Sequence, residues 1–347
     1  MRLFVTGGAG FIGSHYARAV LASSDDHVTV FDALTETGCR ESLADLEADR
    51  RFRFVRGDIC DRDAVLRAMG GHDAVVHFAA ETHVDRSIVD AEAFVRTNCV
   101  GTAVVCDVAR ALGVDRFVQI STDEVYGSVA EGSSSEDDPL VPRSPYSASK
   151  AGSDLIALSF HATYGLPVVV TRSSNNFGPY QFPEKLIPLF VTNLLEGRKV
   201  PLYGDGGNVR DWIFVADNCR AVDLILRRGE PGEIYNVGGG HELDNRSLTA
   251  RLLGLTGRDE SFVELVPDRP GHDRRYSVTT TKVRALGWRP EHDFDEALAA
   301  TVEWYRANER WWAPLRARHA VAARRLAGGG SAGARPAGPG GPSRSRA

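Results

Sequence analysis

Val5-Thr6-Gly7-Gly8-Ala9-Gly10-Phe11-Ile12-Gly13 is the stretch of sequence that decides the fold of this 347-residue chain. It follows a short apolar run near the N-terminus and leads into a helical pattern. Its glycines let a pyrophosphate approach the backbone, and the free N–H groups of a helix N-terminus favour an anion. The spacing differs from the usual Gly-x-Gly-x-x-Gly, but it meets the same physical need. We therefore expect a dinucleotide to bind at this strand-to-helix turn.

Short β-branched or aromatic runs alternate with helix-length segments through the first half of the chain. The strand candidates are Leu3 to Thr6, Val28 to Phe31, Phe52 to Arg56, Ala74 to Phe78, Phe117 to Ser121 and Val168 to Arg172. Helical patterns between them include Ala91 to Leu112 and Tyr146 to Tyr164. Strands separated by helices predict βαβ units. The expected fold class is therefore α/β, with a Rossmann-type doubly wound parallel sheet.

The pattern changes near residue 175, where loops rich in Pro and Gly separate short helices. The helix candidates there are Leu186 to Leu195, Asp217 to Arg228 and Ser247 to Gly254. We expect a domain over 1–174 and a smaller C-terminal α/β lobe over 175–315, with some strands returning to the core sheet. Residues 328–347 are almost wholly Gly, Ala, Pro, Ser and Arg, which predicts a disordered tail. The alternative for this tail is a basic contact arm.

Composition excludes several classes of function. A net charge of -5 gives no support to binding of nucleic acid or of an anionic membrane, and no signal peptide or transmembrane span is apparent. The five cysteines are scattered without a Cys-x-x-Cys pair, which disfavours disulfides and zinc and favours a cytoplasmic location. His-Glu-x-x-His is absent from the sequence, so we expect no catalytic metal.

Asp32 ends the second candidate strand, about twenty residues past the glycines, where a carboxylate accepts hydrogen bonds from an adenosine ribose. A carboxylate there would repel a 2′-phosphate, which favours NAD over NADP. The alternative for Asp32 is a helix N-cap. Asp58 and Ile59, which follow the third strand, are expected beside the adenine, and Phe78 to Ala80 along the middle of the cofactor.

Tyr146-Ser147-Ala148-Ser149-Lys150 predicts a proton relay for the oxidation of a hydroxyl group. A phenol ionises near pH ~10, so Tyr146 needs help to act as a base at neutral pH. Lys150 lies one helical turn along and faces the same side. Its positive charge, together with that of a nicotinamide ring, is expected to lower the pKa of the phenol.

Asp123 and Glu124 are adjacent carboxyl groups just after the fifth candidate strand. Neighbouring carboxyls repel each other's ionisation, so one can stay protonated while the other is charged, and the pair can supply an acid and a base. Successive strand residues point to opposite faces. Both can therefore serve one substrate only if they lie on the loop beyond Ser121. The alternative is a solvated loop or the first turn of a helix.

Longer stretches extend these motifs. The chain resembles the extended short-chain dehydrogenases/reductases and, more narrowly, is similar to dTDP-glucose 4,6-dehydratases over residues 1 to about 312. The matching stretches are Val5 to Gly13, His77 to Ile88, Ser121 to Gly127, Arg172 to Lys185, Gly204 to Trp212 and Asp268 to Asp273. Many members carry Leu-Thr-Tyr-Ala-Gly-Asn where this chain has Leu34-Thr35-Glu36-Thr37-Gly38-Cys39. That departure lies near the expected adenosine site, so NAD affinity or exchange is where this chain can differ from the family, while the reacting groups are untouched.

The resemblance implies a lyase that works through tightly bound, recycled NAD. Tyr146 would deprotonate the glucose 4-hydroxyl while hydride leaves C4 for NAD, and Thr122 would hydrogen-bond the C4 oxygen. Glu124 would then remove the C5 proton and Asp123 would protonate the departing C6 hydroxyl, so that water is lost. Hydride would return to C6 and a proton would add at C5. Catalytic roles are thus expected for Thr122, Asp123, Glu124, Tyr146 and Lys150.

Sequence pattern and resemblance together give the remaining site residues. The expected cofactor-binding residues are Gly7, Gly10, Phe11, Ile12, Gly13, Asp32, Leu34, Thr35, Asp58, Ile59, Phe78, Ala79, Ala80, Thr82, Thr97, Tyr146, Lys150 and Asn176. The expected dTDP-glucose-binding residues are Thr82, Thr122, Asn175, Lys185, Leu186, Pro201, Tyr203, Arg210, Asn245, Arg269, His272 and Tyr276. Arg210 is the best candidate for the diphosphate, because its guanidinium can bind bidentately. The family also implies a homodimer joined by the helices at 91–112 and 146–164.

Three alternatives remain open from the sequence. A 4-epimerase or a UDP-glucuronate decarboxylase would share Tyr146 and Lys150 but would need no carboxyl pair. A GDP-mannose 4,6-dehydratase would use the same chemistry on another nucleotide. A cofactor-binding regulator without activity is the rival of a different class, and the intact catalytic set argues against it.

Overall fold

A computed structural model describes residues 1–269 and 271–318, so the tail predicted for 328–347 lies outside the described residues. The strands are β1 (Arg2–Thr6), β2 (His27–Asp32), β3 (Phe52–Arg56), β4 (Ala74–His77), β5 (Arg116–Thr122), β6 (Val168–Ser173), β7 (Asn175–Phe177), β8 (Val200–Tyr203), β9 (Val209–Phe214), β10 (Ile234–Val237), β11 (Glu242–Asp244) and β12 (Val263–Val266). The α-helices are α1 (Phe11–Ser23), α2 (Arg62–Met69), α3 (Val84–Val89), α4 (Ala91–Phe94), α5 (Thr102–Leu112), α6 (Pro145–Tyr164), α7 (Leu186–Leu195), α8 (Val215–Arg228), α9 (Asn245–Thr256), α10 (Thr281–Ala285) and α11 (Phe294–Ala307). Short 3-10 helices cover Arg40–Leu46, Asp123–Tyr126 and Glu260–Phe262, and residues 309–318 are also helical.

The central sheet has seven parallel strands in the order β10-β6-β5-β4-β1-β2-β3. The strand order runs outward in both directions from β1, so the crossover helices lie on both faces. The reversal beside β1 opens a crevice at the carboxyl ends of the strands, where ligands bind in such sheets. The predicted α/β, Rossmann-type doubly wound fold is confirmed.

Two apolar clusters cover the faces of this sheet. On one face, Tyr16 of α1 and Val222 of α8 pack against β1, β2 and β4. On the other, Val65 of α2, Val105 of α5 and Ala157 of α6 pack against the opposite side. Burial on both faces explains why the strand sequences are almost continuously apolar instead of alternating.

The second half of the chain adds smaller sheets and also completes the central one. β11, β9 and β7 form a three-stranded sheet, and β12 pairs with β8. Helices α7, α9 and α11 share a separate apolar core that includes Phe190, Leu252 and Leu298. Within the expected lobe 175–315, β10 pairs with β6 and α8 packs on the central sheet. No helix among residues 1–269 and 271–318 is long and apolar enough to cross a membrane.

The helical stretch predicted from Ala91 to Leu112 is interrupted by a π-helical segment, Val95–Gly101. Within it the buried Asn98 amide donates to Glu81 O at 3.0 Å and to Ser149 Oγ at 2.8 Å, and it accepts from Glu81 N at 2.8 Å. These bonds tie the π segment to the end of β4 and to α6. Single π turns inside helices often occur at functional sites.

Candidate active site

The glycine turn between β1 and α1 cannot accommodate side chains. Gly7 has a φ of +68°, and a Cβ there would lie 2.5 Å from Ala79 N. A Cβ on Gly13 would lie 2.4 Å from Gly7 O, so α1 begins in close contact with the turn. Gly10, the N-cap of α1, supplies no side-chain hydrogen bond to the helix. The N-terminal N–H groups of α1 can therefore face a pyrophosphate at close range.

A single cavity runs from this turn along the carboxyl ends of the central strands. It is lined by these predicted cofactor residues: Gly7, Gly10, Phe11, Ile12, Gly13, Asp32, Thr35, Asp58, Ile59, Phe78, Ala79, Ala80, Thr82, Thr97, Tyr146, Lys150 and Asn176. It is also lined by Thr122, Asp123, Glu124, Asn175 and Lys185. Leu34 does not line it, because its side chain packs against the core of β1 and β2.

Asp32 lies at the end of β2, where the cavity meets the glycine turn. Its Oδ2 accepts a hydrogen bond from Ala9 N at 3.0 Å, and its Oδ1 accepts one from Leu34 N at 2.8 Å. Burial raises the pKa of this carboxyl, and the two N–H donors partly offset the shift. Asp32 therefore braces the glycine turn from the neighbouring strand, and it does not act as a helix N-cap.

Asp123 and Glu124 leave the strand together. β5 ends at Thr122, and a 3-10 turn over Asp123–Tyr126 follows. Thr122 Oγ1 accepts from Glu124 N at 3.3 Å and donates to Asp123 Oδ1 at 3.2 Å. The prediction that both carboxyls lie beyond Ser121 is confirmed, with the strand one residue longer than expected because Thr122 still pairs with β6.

The two carboxyls sit in different electrostatic surroundings. Burial, and then the neighbouring Glu124 and Asp211, raise the pKa of Asp123 well above its usual value. Asp123 is 2% exposed, and its Oδ2 has no hydrogen-bond partner within the part of the chain that the structure describes. Burial of this kind favours the protonated form of the carboxyl, which can donate a proton.

Glu124 is surrounded by cations. Burial raises the pKa of its carboxyl, but the charges of Arg210, Lys185 and Arg269 act in the opposite direction. Ionisation therefore costs less at Glu124 than at Asp123. The two carboxyls therefore differ in how readily they ionise.

Tyr146 and Lys150 lie on the first two turns of α6, which begins with a capping box between Ser144 and Ser147. Burial, followed by the charges of Glu124 and Asp123, raises the pKa of the Tyr146 phenol, and a hydrogen bond with Thr122 lowers it. The lowering expected from Lys150 together with an oxidised nicotinamide stays a prediction, because the raised pKa is that of the chain alone. Lys150 Nζ donates to Ile120 O at 2.6 Å, and burial lowers its own pKa.

A buried polar network behind this site was missed by the sequence analysis. Asp154 Oδ2 accepts from Ser121 Oγ at 2.9 Å and from Arg172 Nε at 3.1 Å. Arg172 also donates to Tyr126 Oη at 2.8 Å. The Asp154 carboxylate raises the pKa of Lys150, opposing the effect of burial. The only signal in the sequence for this contact was the position of Asp154, one helical turn beyond Lys150.

The cations around Glu124 come from distant parts of the second half. Arg210 on β9 donates to Asp273 O at 3.0 Å and lies over the Tyr276 ring at 4.3 Å. Tyr276 Oη donates to Asp273 Oδ2 at 2.7 Å. Burial, and then the Glu124 charge, raise the pKa of Tyr276, so this group adjoins the carboxyl pair. Asp273 was not predicted, although it lies in a stretch that carried the resemblance.

The remaining predicted substrate residues spread outward from this point. Lys185 Nζ donates to Thr82 O at 2.7 Å, while Arg269 pairs with Asp85 at 2.9 Å. His272 approaches Asp268 at 2.6 Å, and its ring meets that of Tyr203 edge-on at 6.2 Å between centroids. The predicted residues that do not line the main cavity are Leu186, Pro201, Tyr203, Arg210, Asn245, Arg269, His272 and Tyr276. Among the described residues, no group of three or more His, Cys, Asp or Glu side chains could hold a metal ion.

Similarity to known proteins agrees with this geometry. A family model described as GDP-mannose 4,6 dehydratase matches residues 4–301. The dTDP-glucose 4,6-dehydratase of Streptomyces niveus is 55% identical over 322 residues, which cover 91% of this chain and 96% of the relative. The chain belongs to the dTDP-glucose 4,6-dehydratase family. The resemblance inferred from the sequence motifs is thus confirmed.

Solved structures of this family share the fold. One neighbour is DesIV, a dTDP-glucose 4,6-dehydratase from Streptomyces venezuelae that was crystallised with NAD and a second ligand. Its TM-score is 0.90 and its sequence identity is 56%, and the match covers 91% of this chain and 100% of that one. The dTDP-glucose 4,6-dehydratase of Bacillus anthracis, in complex with NAD, has a TM-score of 0.85 and 44% identity over 91% of this chain and 99% of that one. These findings support NAD as the cofactor and do not favour the epimerase and decarboxylase alternatives.

Proposed function

We propose that this chain is an NAD-dependent hydro-lyase that converts dTDP-glucose to dTDP-4-keto-6-deoxyglucose and water. The observation that carries the proposal is the placement of Asp123 and Glu124 on one turn, in the same cavity as Tyr146. A simple oxidation needs only Tyr146 and Lys150. The additional acid and base account for an elimination.

The cavity suits NAD. The glycine turn leaves space that a single Cβ would fill, and the Asp32 carboxylate stands where a ribose hydroxyl can donate to it. When bound, NAD accepts a hydride from C4 of the sugar and returns it to C6, so that no net oxidation occurs. Lys150 and Thr97 would contact the cofactor from the far wall of the cavity, which they line.

Tyr146 would take the proton of the sugar 4-hydroxyl, while the Thr122 hydroxyl holds the same oxygen. The high pKa of the buried phenol means that the phenolate is a strong base, but also that it is rarely formed in the chain alone. The positive charge of the oxidised nicotinamide would favour its ionisation. Lys150 adds a second positive charge from the next turn of α6.

Elimination would follow from the different surroundings of the two carboxyls. Once C4 is a ketone, the C5 proton is acidic and Glu124 would remove it, since the nearby cations favour its ionised form. Asp123 would donate its proton to the leaving C6 oxygen, because burial favours the neutral form of this carboxyl. Proton transfer of this kind typically contributes about 10²–10⁴-fold to the rate.

The dTDP moiety would lie against the second half of the chain. Arg210 would bind the diphosphate, because it is fixed between the Asp273 carbonyl and the Tyr276 ring beside the carboxyl pair. The other expected contacts are Asn175, Lys185, Leu186, Pro201, Tyr203, Asn245, Arg269 and His272. Asn175 and Asn245 each present a buried side-chain oxygen without a hydrogen-bond partner in the described residues.

Incubation with dTDP-glucose in deuterated water tests the reaction. The proposal predicts loss of the 6-hydroxyl, with deuterium entering at C5, and no product from a Tyr146→Phe variant. GDP-mannose is the control substrate and is expected to remain unchanged. Retention of the 6-hydroxyl would overturn the dehydratase function, and activity on GDP-mannose alone would reassign the nucleotide.

We also propose that the enzyme is a cytoplasmic homodimer. Val95 and Val100 in the π segment and Leu155 and Tyr164 on α6 are exposed apolar side chains on helices that pack side by side. Such a surface suits a helix-to-helix contact with a second copy. Sedimentation of the purified protein measures the assembly directly. All five cysteines are free thiols, which supports a reducing compartment.

A further inference from the structure

Arg86 joins two carboxylates from distant parts of the chain. Its Nη1 lies 2.5 Å from Glu36 Oε2 and its Nη2 lies 3.0 Å from Glu184 Oε1. The three side chains are 17%, 27% and 1% exposed, in the order Arg86, Glu36 and Glu184. Ion pairs screened from water to this degree retain more of their attraction than surface pairs.

These three residues lie on segments that form the wall of the cofactor cavity. Thr35 and Thr37, on either side of Glu36, both line the cavity on the side of the ribose-binding strand. Lys185, directly after Glu184, lines it on the opposite side. The Arg86 guanidinium therefore connects the loop at residues 34–39 with the segment at 182–185 across the outside of the cavity.

A second contact joins the same two segments. Cys39 and Phe182 share an apolar cluster with Leu315. At Gly38 a Cβ would lie only 2.8 Å from Asp32 Oδ1, so the loop is packed tightly against the ribose-binding carboxylate. Outward movement of the loop would break both the ion pair of Glu36 with Arg86 and the apolar contact of Cys39 with Phe182.

We propose that Glu36, Arg86 and Glu184 form a clasp that retains the dinucleotide between turnovers. The clasp rests on the proposed function, because it assigns the cavity to NAD. Dissociation of the cofactor requires the loop at 34–39 to move outward, and the clasp raises the barrier to that movement. Glu36 replaces the Tyr of the family motif, so this half of the clasp is a departure of this chain. The catalytic side chains are not part of it.

The test is the rate at which labelled NAD, loaded onto the purified enzyme, exchanges with excess unlabelled NAD. Glu36→Gln keeps the size of the side chain and removes its charge. The charge of Glu36 strengthens its hydrogen bond with Arg86, so we expect exchange to be about tenfold faster without it, which is equivalent to about 1.4 kcal/mol. Glu47→Gln is the matched control, because Glu47 pairs with Arg40 on the exposed surface of the next segment. Its exchange rate is expected to equal that of the unmodified enzyme.

An exchange rate for Glu36→Gln within twofold of the unmodified enzyme would overturn the clasp. Glu36→Asp, which keeps the charge but shortens the side chain, is the second variant and is also expected to exchange faster. Thermal unfolding of each variant verifies that the fold is retained. An unmodified enzyme that binds no NAD would instead refute the proposed function, so the two failures are distinguishable.

Discussion

Replacing Asp123 by Asn removes the proposed proton donor while leaving the shape of the side chain almost unchanged. The Asn carbonyl can still accept the hydrogen bond that Thr122 Oγ1 donates to Asp123 Oδ1 at 3.2 Å. The other oxygen of Asp123 has no partner in the described residues, so no further contact is lost. We therefore expect the fold and the β5 turn to be retained.

The expected loss is in the elimination step. A positioned general acid contributes about 10²–10⁴-fold, which corresponds to a rise of roughly 3–5 kcal/mol in the barrier. Burial raises the pKa of Asp123 and so favours the protonated form that a general acid requires. Oxidation at C4 depends on Tyr146 and is expected to continue.

The assay combines turnover with the absorbance of enzyme-bound NADH. With Asp123→Asn, NADH should accumulate on the enzyme after substrate is added, because hydride is taken from C4 but elimination is slow. Exchange of the C5 proton with deuterated water should persist, since Glu124 is intact. Glu124→Gln is the matched comparison and should show bound NADH without exchange at C5. Turnover of Asp123→Asn within tenfold of the unmodified enzyme would refute the assignment of the acid.

Three further predictions follow from the surroundings of the site. Arg210→Gln removes a positive charge that lowers the pKa of Glu124, so that pKa should rise. The acid limb of the pH profile of kcat, measured at saturating substrate, should therefore move to higher pH. An unmoved limb would contradict the assignment of Glu124 as the base. Asp154→Asn leaves Arg172 without its buried counter-charge. The free energy of unfolding, measured by urea titration, should fall by about 3 kcal/mol. A fall of less than about 1 kcal/mol would show that the pair is not structurally important. Gly13→Ala should abolish binding of NAD, because the new Cβ would lie 2.4 Å from a backbone oxygen. The measurement is the NAD content of the protein after gel filtration, and a full complement of NAD would disprove the close fit.

The parts that could be predicted from the sequence depend on local signals. The bounds of the helix Leu186–Leu195 were predicted correctly, because an apolar run there lies between Lys185 and the Glu196-Gly197 pair. The glycine turn was predicted because a pyrophosphate needs close access to the backbone. Asp32 was predicted from its position at the end of the second strand, about twenty residues past the glycines. The departure of Asp123 and Glu124 from the strand followed from the alternation of side chains along β5.

The parts that could not be predicted depend on contacts between distant residues. The convergence of Arg210, Lys185 and Arg269 on Glu124 brings together three separate segments, and no periodicity in the sequence encodes their approach. The effect of burial on Tyr146 was also missed, because desolvation depends on the packed surroundings of the phenol and not on its neighbours in sequence. Leu34 has a positive φ and its side chain packs against the core of β1 and β2, a placement that no local pattern in the sequence indicates.

The turn that follows β5 has a consequence for how this enzyme can evolve. Thr122 caps the turn with its own side chain, so part of what holds the backbone at the next two positions comes from Thr122. The sheet, the glycine turn and the Tyr146–Lys150 pair on α6 are built elsewhere. Loss of water from the sugar is thus a trait assigned to two consecutive codons, separate from the residues proposed for hydride transfer. Selection can gain or discard that trait without rebuilding the protein.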